Sequence, residues 1–405
     1  MNELQVNFTD TLIVSLVVLF VGSQMTRRIG FLERYSIPQA VSGGLVASLI
    51  VLLIAVLGGP KITYDLVLRD LLLLVFFSTI GLSAKFARLQ AGGRPLLIMV
   101  ACAAVFLVIQ DVTGVLLALG LDAPHPAYGL FAGSVSFAGG HGTAIAWGNE
   151  AEAAGLEGAS LLGAAFATFG LVAGGIIGGP IGERLIRKYR LSTGDEGGQP
   201  MMAKQDAPPA PAEAVTMERI LDTIFVLAVC VSLGEVVNRY FFDAGVKLPG
   251  FLTSMLVGIV ITNGADLFKR NIRQRDFDKV GEVALQLFLA MSLMSLDLAA
   301  LGGTLGIIVF VLFVQVLVIT LFSSIIVFHL MGKTYDAAVI AAGFTGLGLG
   351  ATPVAIANMN ALTRKHGPSF KAFLVVPLVG AFFIDILNAV TIKFFLGLPI
   401  MQNLM

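Results

Sequence analysis

Two glycine-rich stretches hold the residues best suited to binding a charged solute. The first, Ala132–Trp147, reads A-G-S-V-S-F-A-G-G-H-G-T-A-I-A-W. Gly139, Gly140 and Gly142 allow a turn where Cβ atoms would clash, and they free several backbone N–H groups. A half-helix starting near Thr143 would present those donors with a partial positive charge, which suits a carboxylate. Ser134 and Ser136 offer hydroxyls one turn back. His141 offers either a proton-bearing contact or a local hydrogen bond that shapes the turn. The second stretch, Gly343–Asn358, reads G-F-T-G-L-G-L-G-A-T-P-V-A-I-A-N. Pro353 fits the first turn of a helix, Thr352 is its natural cap, and Asn358 would face the same site nearly two turns later. The substrate-binding candidates are therefore Ser136, Gly140, His141, Gly142, Thr143, Thr345, Gly350, Thr352 and Asn358. Either cluster alone could simply allow tight helix packing. Two of them at matching places in two halves of the chain weigh against that.

Polar groups inside apolar runs supply a second chemistry. Asp385 and Asn388, at i and i+3 in V-G-A-F-F-I-D-I-L-N-A-V, share a helix face. A carboxylate deep in lipid is costly and marks an ion path or proton relay. Joined by an amide, hydroxyls and carbonyls, it gives the hard oxygen ligands an alkali cation needs. The alternative is a polar contact between helices. Ser78 and Thr79, in F-F-S-T-I-G, hint at another broken helix, and Ser292 holds a similar later place. The sodium-binding candidates are Asp385, Asn388, Ser78, Thr79 and Ser292. Gln110, Asp111 and Gln315 are also polar near mid-membrane, and the two glutamines, at related positions, serve either as ligands or as interface glue.

The elements that must position these groups repeat. S-I-P-Q-A-V-S-G-G-L-V-A-S-L-I-V-L-L-I at 36–54 is answered by K-L-P-G-F-L-T-S-M-L-V-G-I-V-I-T-N at 247–263, with Pro249 in the place of Pro38. Gly133–Thr143 is likewise answered by Gly343–Thr352. Paired apolar halves with matching glycine breaks point to a secondary transporter. The composition agrees: 57% of residues are hydrophobic and 13% charged, the mean hydropathy is +0.90, and average chains carry about 25% charged residues. Cys102 and Cys230 lie in apolar runs and read as buried hydrophobes, with no disulfide framework or transition-metal site. The N-terminal segment lacks a basic region and a small-residue cleavage site, so its apolar run reads as a retained span.

A spanning helix needs about 20 apolar residues. The runs give spans at 8–26, 38–58, 68–83, 94–119 and 159–186, then 218–240, 249–265, 280–296, 304–330 and 370–396. The expected fold is an all-α polytopic membrane protein with two inverted repeats, each of five transmembrane helices plus one glycine-rich re-entrant hairpin. Residues 1–190 form the N-terminal repeat, with its hairpin at 127–149. Residues 218–405 form the C-terminal repeat, with its hairpin at 336–361. Between them, 191–217 is rich in Gly, Pro and charge and reads as a flexible linker. Five spans is odd, so the second half enters from the opposite side. Placing both termini outside sends most of the 26 Lys and Arg to inner loops, among them Arg27, Arg28, Lys85, Arg187, Arg275 and Lys365. Lys61, Arg69, Arg239, Lys247 and Lys393 stay outside, and the linker is cytoplasmic.

G-G-H-G-T, with G-L-G-L-G-A-T-P-V-A-I-A-N-M and F-L-V-V-P-L-V-G-A-F-F-I-D-I-L-N-A, closely resembles the bacterial sodium/glutamate symporters. The resemblance runs from about Phe31 to the C-terminus, excluding the linker. It implies a homodimeric carrier in the bacterial inner membrane that imports L-glutamate with Na+ as coupling ion. It also implies two re-entrant loops meeting at the binding site and an elevator-like or rocking movement. With both termini outside, they are periplasmic. No enzyme activity, cofactor or nucleic-acid partner is expected; the partners are L-glutamate, Na+, membrane lipid and a second copy. In the mechanism expected here, the hairpin dipoles hold the substrate carboxylates while sodium at Asp385 and Asn388 orders the site. A carrier of a hydroxycarboxylate or dicarboxylate, or a proton-driven one, is the nearest rival. A passive channel would also use two half-helices. An intramembrane aspartyl protease would use Tyr335-Asp336 but lacks its G-x-G-D partner, because Gly348-Leu349-Gly350 is followed by Ala351.

Overall fold

The computed structural model describes residues 3–34, 37–85, 87–193, 216–244, 248–267, 274–296, 298 and 304–404. Most of the linker, and loop residues such as Lys247, Lys269 and Arg270, lie outside the described residues.

Strand β1 (Glu3–Val6) leads into α1 (Phe8–Arg28), α2 (Gly30–Arg34) and α3 (Gln39–Val56), and β2 (Lys61–Tyr64) precedes α4 (Val67–Ser83). Then come α5 (Ala87–Gly120), α6 (Tyr128–Phe131), α7 (Gly140–Ala153) and α8 (Ala159–Tyr189). The second half runs α9 (Met217–Asp243), α10 (Gly250–Leu267), α11 (Gln274–Met294), α12 (Leu305–Leu321) and α13 (Phe328–Leu330). It continues with α14 (Tyr335–Leu349), α15 (Thr352–His366), α16 (Phe370–Leu378) and α17 (Ile384–Leu396). π-turns at Phe322–Val327 and Val379–Phe383 join α12 to α13 and α16 to α17. Among the described residues, seven helical stretches are long and apolar enough to cross a membrane: Phe8–Arg28, Gln39–Val56, Gly93–Gly120, Ala159–Tyr189, Met217–Asp243, Leu305–Leu330 and Phe370–Leu396. The chain is a mostly helical, polytopic membrane protein.

Local chemistry sets several helix ends. Asn7 accepts from the Asp10 N–H at 2.9 Å to cap α1. Thr334 does the same for α14 from Ala337. In α5, Gly93 (φ 54°) kinks the chain two residues before Pro95. The mostly helical fold agrees with the all-α polytopic expectation; a small parallel pairing of β1 with β2 puts the start of α1 beside the start of α4. One sequence expectation needs correction. Helix α4 runs unbroken through Ser78, Thr79 and Gly81. There Ser78 and Thr79 return their hydroxyls to the Leu74 and Phe76 carbonyls at 2.8 and 2.7 Å, a pattern compatible with a continuous helix.

The helices sort into two bundles that cut across the halves. Helices α1, α3 and α4 pack with α9, α10 and α11, and the rest of each half forms a second bundle. Contacts are reciprocal: α3 lies on α11 as α10 lies on α4, and α1 meets α11 as α9 meets α4. Small residues bring these backbones together, as is common between helices in lipid. A Cβ at Gly22 of α1 would lie 1.9 Å from the Gln39 carbonyl oxygen, and one at Gly234 of α9 would lie 2.6 Å from Ser254 Cα. At one end of the first bundle, Lys85 pairs with Asp266 at 2.8 Å and Arg219 grips Asp276 at 2.8 and 3.0 Å.

Candidate functional site

The second bundle is organised around two broken helix pairs. After α6 the chain makes consecutive turns over residues 132–139 and enters α7 at Gly140, three residues earlier than the sequence suggests. Gly140 has φ +67°, a region L side chains rarely adopt. A Cβ there would lie 3.3 Å from the Gly350 carbonyl oxygen. The two tips therefore touch. On the other side, α14 ends at Leu349, Gly350 caps it, Ala351 is extended, and α15 begins at Thr352 with Pro353 in its first turn. Ala351 is the cap and makes no side-chain bond, so Thr352 is the first helical residue and not the cap.

Each tip is held by a glutamine from the opposite half. Gln110 of α5 donates through Nε2 to the Gly348 carbonyl at 2.9 Å. Gln315 of α12 donates to the Ala132 carbonyl at 2.8 Å and to the Gln110 carbonyl at 3.0 Å. The Gly348 carbonyl, at the end of α14, and the Ala132 carbonyl, in the turns of the first tip, would otherwise lack a partner in a sealed interior, so both glutamines act as interface glue. Gln315→Leu strips the Ala132 carbonyl of its donor and should destabilise the fold by about 1–3 kcal/mol, measured as a fall in the thermal unfolding midpoint in detergent. An unchanged midpoint would mean that the carbonyl finds another donor.

Several candidates are committed elsewhere. Asn358 turns away from the tips and donates to the Gly174 carbonyl of α8 at 3.0 Å, contrary to its expected placement. Thr345 bonds the Ala341 carbonyl at 2.9 Å and meets Ser323 at 3.1 Å, one turn before the tip. The ring of His141 reaches Thr168 on α8, with Nε2 2.9 Å from Oγ1. Thr168 spends its hydroxyl proton on the Ala164 carbonyl, so His141 Nε2–H is the donor and the bond joins two elements instead of shaping the turn. Ser78, Thr79 and Ser292 lie in the first bundle, whose approach to the tip is made by Phe76 and Leu285 against Gly142.

Other groups at the tips remain uncommitted. Ser136 is fully buried, and its hydroxyl has no partner among the described residues. Thr143 and Thr352, each in the first turn of its half-helix, form no hydrogen bond with any described residue. No described carbonyl accepts from the His141 or Gly142 backbone N–H, as a helix start implies. The Thr352 hydroxyl lies against Gly380, where a Cβ would come within 2.3 Å. That close approach brings the π-turn of the last span, and Asp385 just beyond it, to the second tip. Asp385 is half-buried and makes no hydrogen bond or ion pair with any described residue. Asn388 is fully buried and bonded to Ser134 of the first tip, donating to its carbonyl at 3.0 Å. Asp111 accepts from the Ser134 N–H at 2.6 Å. The sequence places Asp111 in an apolar run beside Gln110, with no site attached to it. The rule that singles out Asp385, an acid inside an apolar run, applies to it equally.

A cavity of about 890 Å3 separates the bundles, lined by Arg69 and Ser292 on one side and Asn149 and Ser160 on the other.

Residues 4–368 match the family described as Sodium/glutamate symporter. This match takes in the first span, which the resemblance left out, and ends before the last one. The chain is 41% identical over 395 residues to the sodium/glutamate symporter of Escherichia coli (strain K12), covering 96% of this chain and 97% of that protein. The Shigella flexneri symporter matches to the same extent. The Haemophilus influenzae one is 39% identical over 388 residues, covering 95% and 96%. Tips, polar span residues and relatives converge: the chain belongs to the sodium/glutamate symporter family, whose members are transporters and not enzymes.

Proposed function

We propose that this protein imports L-glutamate by sodium symport, binding it between the two tips. The observation that carries the reading is the contact of Gly140 with Gly350, flanked by uncommitted hydroxyls and N–H groups at two half-helix starts. Helix N-termini favour carboxylates, and glutamate has two. Ser136, Gly140, Gly142, Thr143, Gly350 and Thr352 line the substrate position, and sodium takes oxygens from the last span at Asp385 and Asn388. Residues 127–149 and 336–361 are re-entrant hairpins in two inverted repeats; the reciprocal helix contacts support this. Access alternates as the hairpin bundle moves against the bundle of α1, α3, α4, α9, α10 and α11, along the polar crevice lined by Arg69 and Asn149. The protein works as a homodimer in the bacterial inner membrane with both termini periplasmic.

Uptake of labelled L-glutamate into proteoliposomes tests the reading, with an imposed sodium gradient and, in parallel, a proton gradient. Accumulation above equilibrium with sodium alone is the expected result. Accumulation of citrate or malate in place of glutamate would move the assignment to another organic anion.

A further inference from the structure

We infer that Asp111, Ser134 and Asn388 together form a cation site that clamps the first tip between α5 and the last span. The inference deepens the symport reading and rests on it. Ser134 Oγ lies 2.9 Å from Asp111 Oδ2 and 2.5 Å from Asn388 Oδ1. All three residues are 0% exposed. A serine hydroxyl has one proton to give, and here two acceptor oxygens ask for it. Turning the Asn388 amide over does not help. Its nitrogen donates to the Ser134 carbonyl at 3.0 Å, so a flip would set oxygen against oxygen there instead. Asp111 Oδ1 is already occupied by the Ser134 N–H.

One positive charge is therefore missing from a sealed cluster that carries a carboxylate. Hard oxygens from a carboxylate, a hydroxyl and an amide suit a sodium ion, and an acid inside a membrane span marks an ion path. The three oxygens come from α5, the first tip and α17, so a bound ion fixes the tip's position between two spans. It thereby lowers the ordering cost left for glutamate, and that coupling is what symport requires.

The test is thermal unfolding of the purified full chain in sodium chloride against choline chloride at equal ionic strength. Asp385→Asn is included so that an ion held by that residue does not contribute. Asp385→Asn protein should still gain stability with sodium. Adding Asp111→Asn should abolish the gain or raise the half-saturating sodium concentration at least about tenfold, a loss of one order in affinity. In choline the Asp111→Asn amide supplies the missing donor, so its midpoint should equal or exceed that of its parent. A purely structural Asp111 predicts the reverse: a lower midpoint by the same amount in both salts. A protonated Asp111 predicts stabilisation by acid and none by sodium. Either result overturns the site, as does a sodium gain untouched by Asp111→Asn. Should that variant fail to fold, Ser134→Ala, which removes one ligand oxygen and no charge, carries the same comparison. Glutamate uptake by the wild type in the same preparation separates the two readings. No uptake overturns symport, whereas uptake with an unaltered sodium response in Asp111→Asn overturns this cation site alone.

Discussion

Gly140→Val should abolish sodium-driven glutamate uptake, while Gly155→Val should leave it close to wild type. Both glycines sit at positive φ, +67° and +97°, so both substitutions impose similar backbone strain, about 1–2 kcal/mol. Their surroundings differ. Nothing lies within 4 Å of a Cβ at Gly155, whereas one at Gly140 stands 3.3 Å from the Gly350 carbonyl oxygen. Valine carries two further methyl groups, which at 140 must push the tips apart or fill the space where a carboxylate would lie. Displacing positioned groups by about 1 Å commonly costs on the order of 100-fold in a site that depends on alignment. The expected pattern is thus comparable falls in unfolding midpoint and a loss of uptake at 140 alone. Equal uptake in the two variants would mean that the tips need not touch for transport.

How far such a site can be read from sequence depends on which interactions leave a mark in one segment. Helix ends were legible because apolar runs stop at charge, glycine or proline: the last span, expected at 370–396, is Phe370–Leu396. The tips were legible because glycine clusters interrupt those runs twice. Partner choice left no such mark. In lipid every helix face is apolar, so nothing in the sequence said that the first three helices of each half would leave their own hairpin and pack with the other three. The same blindness affected side chains. Asn358 follows Thr352 on the same helix, yet it bonds α8, because Gly178 there leaves room for the amide and the Gly174 carbonyl accepts from it. Thr352 resembles a cap until Ala351 proves extended and takes that position. Ser78 and Thr79 resemble a break until their hydroxyls are found on their own helix. The pairing of Asp111 with Asn388 through Ser134 joins residues more than 250 positions apart, a relation that local spacing cannot carry.

Asp385→Asn should weaken the coupling of glutamate binding to sodium while leaving the fold intact. The carboxylate makes no hydrogen bond or ion pair with any described residue, so exchanging it for an isosteric amide breaks no contact. Its position gives it leverage. It follows the π-turn Val379–Phe383, whose Gly380 backbone lies against the Thr352 hydroxyl at the second tip. An ion neutralising Asp385 would steady that turn and, through it, the start of α15, which is one end of the proposed glutamate position. Linkage then requires reciprocity: saturating sodium should tighten glutamate binding by about 5–150-fold in the wild type, the usual range of coupling between two sites. In Asp385→Asn the factor should fall to the share that the Asp111, Ser134 and Asn388 cluster supplies alone, with the unfolding midpoint and oligomeric state unchanged. Glutamate affinity measured at low and saturating sodium decides it. A coupling factor like the wild type's, in folded protein, would remove Asp385 from the ion site. The cluster of Asp111, Ser134 and Asn388 would then have to carry the coupling alone, acting on the first tip and not the second.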